Sequence, residues 1–432
     1  MLRKLYTALT CVLITLIVPA AAFADGAVYA MTNALGNNQV LVYHRSANGS
    51  LSLVQTIATQ GGGSGTQLDP TDSLGSQGSV MLDKEHHHLF VVNTESLETH
   101  VVGGDTTGDC SEGTISSFNV ASDGTLTFAG RISSDGLYPD SITIRQNHLY
   151  VLNAGGPGLD PVCGIKPNVT GFNIQSNGQL VRVAGAHQSI DPGPAPGFFL
   201  NCDPGGFPST GFFCGMNPTA FPRSPGQIGY TPDGTKLVVT VKGTNTIWVF
   251  PLINGKPGTP TIMQNQGPNQ PTYFGFAFDP KGHLIVSEPF GATPTIPVVP
   301  ASSVSSFSIS SSGTVEPISA SIPNEQGTSC WVALDPATQS VAYIANNATS
   351  NISSYTIDAD GHLTLLASVA GTGNLPNDMA TARDGDASYL YVVNAGDGNI
   401  GGFRINSNKS LTSLGTFHGL PVDSGAQGLA AY

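Results

Sequence analysis

Charge is scarce in this sequence. Only 10% of its 432 residues are charged, with 16 Lys and Arg against 29 Asp and Glu. Long amphipathic helices need Glu, Lys and Arg on their outer faces, and the chain has too few to cover them, which excludes a helical bundle. The acid excess, a formal −13, argues against nucleic acid and anionic membranes as partners. Beyond the first twenty residues no apolar run is long enough to cross a bilayer. No Gly-x-Ser-x-Gly elbow, His-Glu-x-x-His or phosphate-binding loop occurs.

Glycine (53) and proline (30) are abundant instead, as many short strands joined by tight turns require. Arg3 and Lys4 precede an apolar run, Ala8 to Ala20, and a small-x-small site, Ala22-Phe23-Ala24. Residues 1–24 therefore read as a secretory signal. Its removal leaves 14 basic residues against 29 acidic, a formal charge of −15, in a protein exported to the periplasm or the outside. Residues 25–432 show no linker or break in composition and read as one repeat-built domain.

One apolar strand recurs seven times, often ending in Asn: Val28–Asn33, Leu89–Asn93, Leu149–Asn153, Leu237–Val241, Leu284–Glu288, Ala342–Asn346 and Leu390–Asn394. A second, alternating strand follows each, as in Ile352-Ser353-Ser354-Tyr355-Thr356-Ile357, the pattern of a half-buried strand. Turn pairs come next: Asn48-Gly49, Asp123-Gly124, Asn177-Gly178, Asn254-Gly255, Ser312-Gly313 and Asp360-Gly361, with Asn408-Lys409 as the seventh. Such pairs accept the positive φ of a tight hairpin. A further strand precedes six of the seven copies. The missing one is at the far end, in Gly425-Ala426-Gln427-Gly428-Leu429-Ala430-Ala431. The expected fold is all-β: a seven-bladed propeller of four-stranded antiparallel blades, closed by the C-terminal strand joining the N-terminal blade.

Leu-Tyr-Val-Val-Asn at 390–394, Leu-Tyr-Val-Leu-Asn at 149–153, Thr-Pro-Asp-Gly-Thr-Lys-Leu at 231–237 and the C-terminal Gly-Ala-Gln-Gly-Leu-Ala-Ala resemble the lactonase-like seven-bladed propellers. That group includes 6-phosphogluconolactonases, carboxymuconate-lactonizing enzymes and proteins with Tyr-Val-Thr-Asn-type repeats. The resemblance implies lactone hydrolysis or formation, which calls for a general base and a group that polarises a carbonyl. It leaves open a divalent metal for an acidic substrate. Family enzymes carry a Pro-His-x-His-like stretch before the fourth blade's Pro-Asp-Gly and an Asp-Leu-Gly after its second strand. Here those places hold Arg223-Ser224-Pro225-Gly226-Gln227 and Val241-Lys242-Gly243, so only Arg223 is left to hold a substrate carboxylate.

With blade strands counted outward from the axis, the long connections, at 59–77, 94–112, 154–167, 186–224 and 289–302, all fall on one face. Long loops on one side of a rigid scaffold commonly carry function. The first residues of the innermost strands ring the channel mouth there: Ser79, Asp140, Gln227, Phe274, Trp331, Asp378 and Gln427. Asp140 and Asp378 are the candidate acid and base. Gln227, Gln427, Trp331, Phe274 and Arg223 are candidate contacts to a small-molecule or carbohydrate ligand, and the alternative for all of them is ordinary channel lining. Cys110 and Cys163 lie in equivalent loops of adjacent blades, and Cys202 and Cys214 in a single loop. Bridges 110–163 and 202–214 would stiffen the face, with Cys330 buried outside either, although other pairings remain open. The alternative function is a non-catalytic propeller that binds a ligand, polysaccharide or protein, for which Phe198, Phe199, Phe207, Phe212 and Phe213 are candidate anchors.

Overall fold

The computed structural model describes residues 26–66, 72–83, 87–94, 112–155, 166–191, 225–264, 272–289, 302–366 and 370–432. The expected leader at 1–24, the four cysteines Cys110, Cys163, Cys202 and Cys214 with their expected bridges, Arg223 and the five phenylalanines of the 186–224 connection lie outside those residues. The described chain forms seven antiparallel sheets, each with an inner, a second, a third and an outer strand, arranged as a propeller. Among the described residues the helix is a single short turn, Lys242–Thr244.

The recurrent apolar strands are the second strands: Gly26–Met31, His88–Asn93, His148–Asn153, Lys236–Val241, Leu284–Glu288, Val341–Asn346 and Ala387–Asn394. They are buried almost end to end, because each lies between two strands of its own blade and between the faces of two neighbouring blades. That is why they read as continuous apolar runs. The outer strands, such as Leu51–Ala58 and Leu411–His418, form the rim and are largely exposed along their length. In blades 4 and 6 the outer position is split between two short pieces, Lys256–Pro257 with Thr261–Gln264, and Leu363–Leu365 with Ala370–Gly371.

Neighbouring blades are tied by tyrosines at one register position. Tyr29, Tyr150, Tyr343 and Tyr391 each donate the phenolic proton to a carbonyl in the third-to-outer turn of the following blade: Gly124 O, Gly255 O, Lys409 O and Gly49 O. These links join blades 1 to 2, 3 to 4, 6 to 7 and 7 to 1. The turns they cap have the expected left-handed backbone. Lys409 adopts it without being glycine, at φ 71°.

The strand-ending asparagines bind strands of their own blade and, in blade 2, also the end of the preceding blade. Asn93 donates to Thr114 Oγ1 and Ser116 Oγ, at 3.1 and 2.9 Å, and accepts from Thr59 Oγ1 at 2.7 Å. Asn346 does the same with Asn351, Ser353 and Ser329. In blade 5 the position is Glu288, which accepts from Ser303 and Ser305. Blade 1 departs from the sequence reading. Its strand ends at Met31, and pairing with the third strand puts Thr32, not Asn33, in the equivalent place. Asn33 sits one residue further on at φ 49° and binds Ser64 and Gly425 O, so it serves the ring closure.

The ring closes as expected. Leu429–Ala431 pairs antiparallel with Gly26–Met31, Val28 opposite Ala431 and Ala30 opposite Leu429. Met31 N–H to Gly428 O and Tyr432 N–H to Ala27 O extend the ladder at 3.0 and 3.1 Å. Arg45 Nε donates to Tyr432 O at 3.0 Å.

Replacing Tyr391 by Phe removes one such link, leaving the Gly49 carbonyl without that donor. We expect a loss of roughly 1–2 kcal/mol, read as a lower urea midpoint at unchanged slope. Tyr355→Phe, whose hydroxyl bonds Ile322 O within the region of blades 5 and 6, serves as a comparison for a bond away from the closure.

Candidate active site on the long-loop face

The innermost strands begin irregularly. In blades 3, 4, 6 and 7 the ladder slips near the start, at Pro139/Ser141, Pro225/Gln227, Ser329/Trp331 and Asn377/Met379. The slipped residues are Asp140, Gly226, Cys330 and Asp378. A bulge turns a side chain away from its regular face, and here it turns two carboxylates toward the axis.

The channel mouth they border is filled by the chain itself. Residues 72–78, Asp-Ser-Leu-Gly-Ser-Gln-Gly, cross it as a strap. Ser76 Oγ donates to Asp140 O at 2.8 Å, while Ser76 O accepts from Trp331 Nε1 at 2.9 Å and Gln427 Nε2 at 2.7 Å. Leu74 N–H donates to Gln427 Oε1 at 3.0 Å, and Lys242 Nζ to Gly75 O. Gln77 N–H donates to Gly226 O, and its carboxamide bonds both the N–H and the C=O of Val332 at 2.9 and 2.8 Å. One seven-residue segment thus engages blades 1, 3, 4 and 6.

The strap decides what the expected site residues do. Gln427 and Trp331 are fully buried and hold the strap. Gln227 pairs through its carboxamide with Phe276 N and O, at 2.6 and 3.0 Å. Phe274 packs edge-on against Trp331, with ring centroids 5.7 Å apart. Cys330 is buried beside them. Asp140 and Asp378 do not meet: they start the innermost strands of blades 3 and 7, with blades 1 and 2 between.

The two aspartates have different surroundings. Asp378, at φ 54°, accepts from Met379 N–H at 2.9 Å, and the N–H groups of Gly78 and Leu429 also favour its charged form. Burial outweighs them and pushes its pKa up to about 7. Asp140 is completely buried, and neither of its carboxylate oxygens has a hydrogen-bond partner outside its own residue. Burial drives its pKa well above the usual carboxylate range. The Lys242 ammonium pulls it back down, and the Asp72 carboxylate adds to the rise.

Lys242 is the residue that sequence reading passed over. It is 1% exposed and follows the second strand of blade 4, with Nζ 5.2 Å from the centre of the Phe274 ring. The available signal was a lysine ending an apolar strand, on the long-loop face, in a chain with 16 basic residues. Asp140, Lys242, Asp72 and Phe274 together form a buried, partly uncompensated charge cluster under the strap. Among the described residues no group of three or more His, Cys, Asp or Glu side chains could hold a metal ion.

Blades and closure define a seven-bladed β-propeller. The family model described as "Lactonase, 7-bladed beta-propeller" matches residues 294–426. Among solved structures, the fold is similar to a putative 6-phosphogluconolactonase from Bacteroides fragilis, at 15% identity and TM-score 0.65 over 96% of this chain and 99% of that one. It is also similar to a periplasmic gluconolactonase from Pseudomonas aeruginosa, at 13% identity and TM-score 0.63 over 94% and 99%. A search of curated proteins finds no match to the sequence.

Asp378 generates a pH prediction. Its folded pKa of about 7 lies above the ~4 of an unfolded aspartate, so between those values the folded state holds a proton that the unfolded state has released. Stability therefore falls as pH rises from about 4 to about 7. Each unit of displacement is worth about 1.4 kcal/mol, which makes the whole effect a few kcal/mol. Thermal melts across this window should show the fall, and Asp378→Asn should lessen it, with Asp140 and Glu288, also raised by burial, contributing the remainder.

Proposed function

We propose that the protein hydrolyses a lactone at the Asp140–Lys242 cluster on the long-loop face. The observation that carries this is Asp140: a carboxylate held without a hydrogen-bond partner in full burial, next to a buried ammonium. Buried polar groups are nearly always satisfied, and strongly displaced carboxyls with a specific charge partner concentrate at functional sites. In this reading Asp140 takes a proton from water as the water oxygen bonds the lactone carbonyl carbon. Lys242 Nζ stabilises the developing oxyanion. The ring C–O bond then breaks, and the alkoxide leaving group recovers the proton from Asp140. Substrate reaches the pair when the 72–78 strap lifts. The lactone-directed names of the similar structures support the reaction class. The basic, apolar, small-residue order of residues 1–24 supports export.

A panel of an aldonolactone, its 6-phosphate and an aromatic γ-lactone tests the reading. The wild type should turn over at least one of them. Asp140→Asn and Lys242→Met should each lower kcat/KM by about a hundredfold or more, with folding checked by melting. Turnover that survives both substitutions would remove the site.

A second reading is favoured by the strap itself. The polar groups of Gln227, Gln427 and Trp331 are all engaged by backbone, as suits a non-catalytic propeller that binds a ligand, polysaccharide or protein through its looped face. Absence of turnover on every lactone supports it.

A further inference from the structure

The strap closes the channel from one side only. From the opposite face, where the short inner-to-second turns lie, the axial hole remains open as a blind funnel of about 600 Å³. Gln77 forms its floor. Its walls are the inner strands Phe276–Phe278, Ser329–Leu334 and Pro376–Asp384 of blades 5, 6 and 7. Arg45, Gln339, Arg383 and Asp384 stand around it. A volume of this size suits a bound organic molecule.

Each inner strand pairs on one side only, with the second strand of its blade. Its other edge faces the axis and presents alternating N–H and C=O groups. The molecule itself shows what such an edge accepts. The Gln77 carboxamide takes both the N–H and C=O of Val332, and Gln227 takes both groups of Phe276. A ligand suited to the rest of the edge must likewise donate and accept at closely spaced points. Neighbouring sugar hydroxyls do both. Charge at the funnel selects further. Two of the 16 basic residues, Arg45 and Arg383, line the funnel with a single acidic side chain, Asp384, in a chain of net −13; Arg45 also binds Tyr432 O. Arg45 Nη1 is 3.6 Å from Asp384 Oδ2, too long for a hydrogen bond, and makes no other. Arg383 is exposed and uses Nε on Gly385 O at 2.8 Å, which leaves its other N–H groups toward solvent.

We propose that this funnel binds a short acidic oligosaccharide, its hydroxyls on the inner-strand edges of blades 5 to 7 and its carboxylate on Arg383. The site does not involve Asp140 or Lys242, so it stands or falls separately from the lactone reading.

Calorimetry with digalacturonate, and with cellobiose as the neutral control, tests this on the full protein. Digalacturonate should bind saturably and cellobiose about tenfold or more weakly. Arg383→Met should reduce the preference for the acid to near nothing, since one charge-assisted bond of about 1.4 kcal/mol corresponds to tenfold in affinity. Ala380→Phe, which places a large side chain at the funnel wall, should abolish binding of both, with folding checked by circular dichroism and melting. Absence of saturable binding, or binding that survives Ala380→Phe, would overturn the proposal. Equal binding of the two sugars would overturn its acidic specificity. The lactone assay run on the same variants should stay at the wild-type level.

Discussion

An open strand edge cannot be left bare inside a protein, and the architecture follows from that requirement. Seven blades arranged in a ring leave two kinds of edge to satisfy: the seam between first and last blade, and the axial side of every innermost strand. Leu429–Ala431 closes the seam against Gly26–Met31. The axial side is served in part by the 72–78 strap and by glutamine carboxamides, whose paired donor and acceptor copy one residue of a neighbouring strand. Gln77 and Gln227 act so at the axis, and Gln55 does the same for Leu126 between outer strands, at 2.7 and 2.8 Å. The tyrosine links between blades are secondary to these, since they tighten a ring that backbone pairing has already closed.

The fold was largely legible in the sequence because its signals are local. Continuous apolar runs mark strands buried on both faces, alternation marks half-buried ones, and the Asn-Gly and Asp-Gly pairs mark hairpins. Even the closure could be read from a strand missing at one end and surplus at the other. The offset of Asn33 was not legible, because Thr32 and Asn33 are both good hydrogen-bonding residues and only pairing to the third strand separates them. The site was harder still. The inner-ring residues Asp140, Gln227, Trp331, Asp378 and Gln427 were found by aligning repeats. What they do depends on a segment from another blade crossing the axis. Nothing in Asp-Ser-Leu-Gly-Ser-Gln-Gly announces a strap, since its partners lie up to 353 residues away. Lys242 was seen only as a departure from a family pattern, because its importance comes from being enclosed beside Asp140.

Two buried carboxyls show how burial and satisfaction separate structural from chemical roles. Glu288 is as enclosed as Asp140, and its pKa is likewise raised by burial, but hydroxyls of Ser303 and Ser305 occupy its oxygens. It occupies the place of a repeat asparagine and performs that residue's task of joining strands. Asp140 has no such hydroxyls and faces a cation instead. Desolvation is similar for the two. The difference lies in the partner, and a charge whose only compensation is another charge can respond to a ligand that brings hydrogen bonds of its own.

The strap also has a consequence for how the chain acquires its shape. Residues 72–78 leave the ribosome early, in the connection between the first and second blades, but their partners include Gln427, near the last residues to appear. Until then the segment has no complete set of acceptors and donors, and the first blade lacks its inner strand. Individual blades can condense as they emerge, whereas the hub can assemble only once the whole chain is available. Such late, long-range contacts slow the final step and make it all-or-none, so the axle of this wheel is fitted last, after every spoke is in place.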